Sequence, residues 1–114
     1  MSRITTHILD IAHGEPARNV RVKLEAYSGD RGWVVLAEKR TDTDGRARDL
    51  LADEASGAAG SYRITFGTGE YFKNRGVSCF HPFVEVVFEI LDPDQHYHVP
   101  LLVSPYGYST YRGS

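Results

Sequence analysis

The sequence has little of several features that would assign a chain to a specialised class. Its 114 residues include one cysteine, Cys79, so no disulfide can form within the chain. No apolar run approaches the length that a membrane-spanning helix requires. The formal net charge is -2, and the Lys and Arg residues do not cluster, unlike the pattern typical of nucleic-acid-binding proteins. We therefore expect neither a membrane nor a nucleic acid as partner.

The lone cysteine and the beginning of the sequence predict a cytoplasmic protein. A single unpaired thiol fits a reducing compartment, and no leader segment precedes Ile4. Ser78, Phe80 and Pro82 surround Cys79 and indicate a small, buried packing residue. A nucleophilic thiol would need a charged partner, and none stands near it in the sequence.

Length and composition indicate one globular domain over residues 1–114. The chain is 41% hydrophobic and 25% charged, as ordinary globular proteins are. A chain of this length buries about two thirds of the surface that it exposes when unfolded, which is enough for one core.

Alternation of apolar and polar residues predicts about eight short strands. They are expected at 4–9, 20–26, 33–39, 46–51, 61–66, 83–90 and, as a pair, within 96–111. Residues 52–60 are predicted to form a loop, and residues 68–74 a short helix capped by Thr68 and closed by Gly76. Such a series of strands and turns is typical of an all-β antiparallel sandwich or barrel, and the pattern alone does not choose between sandwich types.

Two histidines near the C-terminal end of the sequence lie where a core strand would carry apolar groups. His96 and His98 are two residues apart, so in a strand they point to the same face, while Tyr97, Val99 and Leu101 point to the other. A neutral imidazole can take a proton from water at neutral pH. The pair also permits a zinc site with His7 or His13 as a third ligand, although no Cys or Glu stands at ligand spacing. A hydrogen bond from each imidazole to a main-chain carbonyl is the structural alternative.

Four segments together resemble the 5-hydroxyisourate hydrolases, the transthyretin-related enzymes of urate breakdown. They read THILD, TDTDGR, HYHVPLL and SPYGYSTYRGS, and the resemblance extends from Ile4 to Ser114. The terminal YRGS is the most specific part, because transthyretin, the hormone carrier of the same fold, lacks it. The resemblance implies a transthyretin-like antiparallel sandwich of two four-stranded sheets with one short helix. It also implies a homotetramer, a dimer of dimers whose central channel carries the sites.

The resemblance further implies an enzyme without metal or cofactor. Its reaction would be hydrolysis of 5-hydroxyisourate to 2-oxo-4-hydroxy-4-carboxy-5-ureidoimidazoline. The implied catalytic residues are His7, Arg46, His98 and Ser114, and the implied substrate contacts are His7, Arg46, Tyr111, Arg112 and Gly113.

The expected roles follow from the chemistry of these side chains. His98, helped by His7, would activate water, and Arg46 and Arg112 would bind the carbonyls and stabilise the oxyanion. Tyr111 would line the pocket, and Gly113 would let the chain approach a neighbour closely. Ser114 is expected to form hydrogen bonds rather than a covalent intermediate, because no carboxylate is placed to orient a histidine beside it. Arg48 is a weaker candidate than Arg46, and His96 is expected to be structural.

Two further classes remain open at this point. A carrier of apolar ligands with the transthyretin fold would gain nothing from imidazole and guanidinium groups in its channel. A structural domain without a ligand would leave the polar cluster unexplained. Binding of a ligand without any effect on substrate decay would identify a carrier.

Overall fold

The computed structural model describes residues 3–51 and 58–114. Residues 52–57, which make up most of the loop predicted at 52–60, lie outside the described residues. The described elements are strands β1 (Arg3–Asp10), β2 (Glu15–Pro16), β3 (Arg21–Ser28), β4 (Gly32–Arg40), β5 (Arg46–Leu51) and β6 (Gly60–Phe66), helix α1 (Thr68–Asn74), and strands β7 (Val84–Ile90), β8 (His96–Ser104) and β9 (Gly107–Thr110).

The strands form two sheets, which confirms the predicted sandwich. One sheet has the order β4-β3-β6-β7 and is antiparallel throughout. In the other, β8 separates β1 from β9, while β2 and β5 pair with successive parts of the far edge of β1. This sheet is therefore four strands wide, although it contains five strands. Strands β1 and β8 run parallel, unlike every other described pair.

Side-chain alternation places the core between the two sheets. Val22 and Leu24 of β3 and Ile64 and Phe66 of β6 are buried on the inner face, as the alternating pattern predicted. On β7, Val84, Val86 and Ile90 are buried as well, and Phe88 packs against the same cluster. Cys79 is half-buried at the margin of this core, less enclosed than expected, and its Sγ lies 3.1 Å from the His81 carbonyl oxygen.

The predicted helix is present over Thr68–Asn74, but its N-cap differs from the prediction. Gly67 occupies the N-cap position, and the Thr68 hydroxyl is buried without a hydrogen-bond partner among the described atoms. Gly76 follows the helix with a φ of +72°, a conformation that glycine adopts without a steric penalty. Tyr71 and Phe72 are buried, so both belong to the core, as expected.

The outer face of the β1-β8 sheet carries the polar residues singled out in the sequence. On β1, Ile4, Thr6 and Ile8 are buried, whereas Thr5 and His7 point outward and are half-buried. On β8, Tyr97, Val99 and Leu101 point inward, and His96 and His98 point outward, as predicted. No helix in the described chain has the length and apolar character needed to cross a bilayer.

Candidate active site

The parallel pairing of β1 with β8 brings three side chains of the outer face together. Thr5 lies opposite His98 in the register. Its Oγ1 atom is 2.8 Å from Nδ1 of His98 and 2.9 Å from Nε2 of His96. One hydroxyl therefore contacts both imidazoles and fixes the position of each ring.

The turn before β5 places Arg46 beside His7. The Asp42 carboxylate accepts hydrogen bonds from the main-chain N–H groups of Asp44 and Arg46, each at 2.9 Å. Gly45 has a φ of +76° and lies against β1, where its carbonyl accepts a 2.7 Å hydrogen bond from the Ile8 N–H. The first residue of β5, Arg46, is consequently paired with His7 across the strands.

Arg46 and Arg48 differ in what their guanidinium groups contact. Arg48 lies 3.7 Å from Asp42 and 3.4 Å from Asp44, so its charge is balanced within the turn. Among the residues that the structure describes, no carboxylate forms an ion pair with Arg46. The geometry thus favours Arg46 over Arg48 as the arginine available to a ligand, in line with the sequence-based preference.

The environment of the two site histidines favours their neutral forms. Burial is the largest cause that lowers the pKa of His7, and the charge of Arg46 lowers it further. A hydrogen bond to the main chain of Asp44 acts in the opposite direction and raises this pKa. The pKa of His98 is lowered by burial first, then by the charges of Arg46, His96 and His7. Both imidazoles can therefore accept a proton at neutral pH, as a general base must.

A cavity of about 400 Å³ lies over this cluster. Its lining includes Arg46, His96, His98 and Ser114. His7 stands next to it on the same face, close enough for its charge to lower the pKa of His98. A volume of about 300–1,000 Å³ is usual for small-molecule sites, so one cavity combines a base, a cation and a hydroxyl.

Gly113, the residue before Ser114, packs directly on His98. Its N–H donates a 2.8 Å hydrogen bond to the His98 carbonyl. A Cβ atom at position 113 would lie only 2.5 Å from Cδ2 of His98 and 3.2 Å from Cγ of Pro100. The expected close approach at this glycine is therefore confirmed, and the neighbour that it approaches is the site histidine.

Tyr111 and Arg112 lie elsewhere within one chain. Arg112 donates to the Gln95 side chain at 3.0 Å, and its guanidinium carbon is 4.4 Å from the centre of the Tyr97 ring. Both residues line a separate, more apolar cavity of about 500 Å³ beside β7. Arg112 also donates to the main-chain carbonyl of His96 at 3.3 Å. Neither Tyr111 nor Arg112 lines the cavity over the imidazoles within one chain, so their substrate contacts remain a prediction.

Another cavity, of about 790 Å³, lies on the outer face of the other sheet. Four of its charged side chains form two ion pairs, in which Arg21 is 3.4 Å from Glu38 and Arg40 is 3.2 Å from Glu70. Its lining contains no histidine. Despite its larger volume, it lacks a group that can exchange protons near neutral pH.

Comparisons with known proteins agree with the fold and with the arrangement of the site. A family model described as the HIUase/Transthyretin family matches residues 4–113. The chain belongs to this family.

Individual members include both enzymes and hormone-binding proteins. A relative from Caulobacter vibrioides named 5-hydroxyisourate hydrolase is 51% identical over 119 residues and covers 100% of both chains. The structure of Klebsiella pneumoniae 5-hydroxyisourate hydrolase is 38% identical, with a TM-score of 0.86 over 98% of this chain and 99% of that one. Sea bream transthyretin in complex with thyroxine is 35% identical, with a TM-score of 0.90 over 97% of this chain and 94% of that one. A hydrolase and a thyroxine-binding transthyretin thus share this fold. The fold does not distinguish the two functions, so the distinction depends on the side chains of the site.

Thr5 belongs to the cluster around His98 but was not predicted from the sequence. A threonine in a strand is ordinary, because β-branched residues favour extended backbone. Thr5 precedes His7 by two residues, so the period of a strand predicts that both side chains point to the same face of β1. What could not be read is that β1 pairs in parallel with β8 and sets Thr5 opposite His98.

The candidate metal ligands do not assemble into a metal site among the described residues. In that part of the chain, no group of three His, Cys, Asp or Glu side chains is placed to hold one ion. His13, the alternative third ligand, lies in the turn after β1, and its Nδ1 is 2.6 Å from Oδ2 of Asp10.

Proposed function

We propose that this chain hydrolyses 5-hydroxyisourate to 2-oxo-4-hydroxy-4-carboxy-5-ureidoimidazoline, a step of urate breakdown. The observation that carries the proposal is one cavity that combines His98, with its lowered pKa, and Arg46, whose guanidinium forms no ion pair within the described residues. The relatives named 5-hydroxyisourate hydrolase support the same reaction.

The reaction opens a cyclic amide by adding water to its carbonyl carbon. The neutral imidazole of His98 takes one proton from the water as the oxygen forms its bond to carbon. Negative charge then develops on the carbonyl oxygen, and Arg46 stabilises it by donating hydrogen bonds. Breaking the C–N bond releases the ring nitrogen, which takes the proton from His98. The histidine is thereby restored, and no cofactor is needed.

The other predicted residues act around this centre. His7, paired with Arg46 across the strands, helps to keep His98 neutral and contacts the substrate. Ser114 lines the cavity and donates a hydrogen bond to the substrate. Gly113 keeps the main chain close enough for Ser114 to reach it.

We further propose that the working form is a homotetramer built as a dimer of dimers, located in the cytoplasm. Within the described chain, β7 pairs only with β6 and β9 only with β8, so each has a free edge. The cavity that contains Tyr111 and Arg112 lies beside these edges, next to the exposed side chains of Val87 and Leu91. Association would cover this apolar surface, and the polar outer face of the β1-β8 sheet would line a channel. Sedimentation should then give four times the chain mass of 12.7 kDa.

Decay of freshly made 5-hydroxyisourate, followed by ultraviolet absorbance, tests the function. The intact protein should speed the decay, and a variant that lacks residues 111–114 should lose this effect while remaining folded. A folded protein that binds thyroxine but leaves the decay unchanged would be a carrier and would contradict the proposal.

A further inference from the structure

The Thr5 hydroxyl lies between two imidazole nitrogens. It is 2.8 Å from Nδ1 of His98 and 2.9 Å from Nε2 of His96, and both distances are those of hydrogen bonds. A hydroxyl carries one hydrogen and can accept through its lone pairs. It can therefore donate to at most one ring, so at least one of these two nitrogens must carry a hydrogen and donate to Thr5.

Three arrangements satisfy this condition, and they differ in the tautomer of His98. Thr5 can donate to His96 and accept from His98, accept from both rings, or donate to His98 and accept from His96. In the first two, Nδ1 of His98 carries the hydrogen, so Nε2 of the neutral ring is a bare base. In the third, Nε2 carries the hydrogen and cannot accept a proton from water.

The surroundings of His98 favour a hydrogen on Nδ1. Nδ1 of His98 lies 2.8 Å from the Thr5 hydroxyl oxygen, which can accept a hydrogen bond from an Nδ1–H group. On the other side of the ring, Cδ2, the carbon bonded to Nε2, packs against Gly113, next to the Ser114 that lines the cavity. Nδ1 of His98 thus faces the Thr5 hydroxyl, and the Cδ2 edge of the ring, which carries Nε2, lies on the side of Gly113 and Ser114.

His96 completes the arrangement. Its side chain is exposed, so the Nε2 atom can accept the Thr5 hydrogen while the rest of the ring is hydrated. When His96 accepts the single hydrogen of the Thr5 hydroxyl, the lone pairs of the hydroxyl oxygen can accept a hydrogen bond from Nδ1 of His98.

We propose that Thr5 is a positioning residue that holds His98 as the Nδ1–H tautomer, with His96 as the acceptor that orients the Thr5 hydroxyl. The inference deepens the proposed hydrolase function. It rests on that function, because the tautomer of His98 serves the reaction in which His98 is the base. In that reaction, Nε2 of His98 is the atom that takes the proton from water. His96 then acts on His98 through the Thr5 hydroxyl.

Two substitutions at Thr5 separate the hydroxyl from the shape of the side chain. Thr5→Val keeps the β-branched shape that suits a strand and removes the hydroxyl, whereas Thr5→Ser keeps the hydroxyl and removes a methyl group. The full chain labelled with ¹⁵N-histidine is studied by NMR at about pH 8, where an unperturbed imidazole is neutral. The spectra distinguish a ring nitrogen that carries hydrogen from one that does not, and kcat and KM are measured on the same samples.

The proposal predicts a protonated Nδ1 and a bare Nε2 for His98 in the unmodified protein and in Thr5→Ser. In Thr5→Val this preference should be lost, and kcat should fall about 10- to 100-fold, the range lost when a partner that orients a functional histidine is removed. KM should change much less than kcat, because the Thr5 hydroxyl is engaged by the two imidazoles. Rescue by serine would exclude a purely steric effect.

A hydrogen on Nε2 of His98 in the unmodified protein would overturn the proposal, even if Thr5→Val failed to fold. The same conclusion would follow if folded Thr5→Val kept both the tautomer and kcat. The expected NMR pattern in a protein that leaves 5-hydroxyisourate decay unchanged would confirm the tautomer assignment and contradict the hydrolase function instead.

Discussion

Replacing Gly113 by alanine should displace the site histidine with little change elsewhere. The new Cβ would lie 2.5 Å from Cδ2 of His98, whereas carbon atoms pack at about 3.5–4.0 Å. Cγ of Pro100 would also lie only 3.2 Å from the new Cβ, so the methyl group meets a second neighbour. The imidazole therefore has to shift by about 1 Å or more. A misplacement of about 1 Å can lower the rate about 100-fold, which corresponds to about 2.7 kcal/mol in the activation free energy.

The assay is kcat for 5-hydroxyisourate decay, with Gly107→Ala as the matched control. Gly107 lies in β9 of the same sheet, and the nearest atom to a Cβ there is Oγ of Ser104 at 4.0 Å. The control should keep nearly full activity, since its methyl group meets no obstacle. A Gly113→Ala protein with unchanged kcat and an unshifted His98 ring would refute the reasoning.

Three further predictions concern charge, backbone and burial. In the native protein the charge of Arg46 lowers the pKa of both site histidines. Removing this charge in Arg46→Gln should therefore move the acidic limb of the kcat/KM profile up toward pH 6.5, whereas Arg46→Lys should leave the limb in place. Acidic limbs at the same pH in both variants would contradict this. Gly45→Ala should lower the free energy of unfolding in urea by about 1–3 kcal/mol more than Gly14→Ala does. Both glycines have a positive φ, but of the two only Gly45 would place a Cβ against a main-chain oxygen, at 2.5 Å. Similar losses of unfolding free energy in the two variants would show that the turn at Gly45 adapts to the methyl group. Tyr71→Phe should destabilise the fold by about 1–3 kcal/mol, since the Tyr71 hydroxyl donates to the buried Asp10 carboxylate at 2.7 Å. Tyr108→Phe at an exposed position should leave the urea midpoint nearly unchanged, and an equal loss in both variants would exclude the buried hydrogen bond as the cause.

The strands could be predicted because their alternation reflects a local rule. Successive side chains of a strand point to opposite faces, so the pattern in β3, β6 and β7 identified their inner faces without knowledge of their partners. The outward direction of His96 and His98 followed from the same rule. The helix could also be predicted with its observed bounds, but its N-cap could not, because Gly67 occupies the N-cap position and Thr68 is a buried first residue of the helix.

The pairing of distant segments could not be read in this way. Alternation does not reveal that β1 runs parallel to β8, and this pairing is what sets Thr5 against two histidines. The same applies to Gly113, whose contact with His98 depends on how the end of the chain folds back over β8. Arg112 illustrates the reverse case. Its place in the YRGS segment predicted a substrate contact, whereas within one chain its guanidinium lies over the Tyr97 ring.

The most direct test compares His98→Ala with His81→Ala in the ultraviolet assay of 5-hydroxyisourate decay. His81 does not line the cavity that contains His98. Its ring contacts the rings of Phe80 and Tyr108. If His98 is the base, His98→Ala should lose at least about 100-fold in kcat, while His81→Ala should retain it. Full activity in a folded His98→Ala protein would contradict the assignment of the outer face of the β1-β8 sheet as the catalytic site.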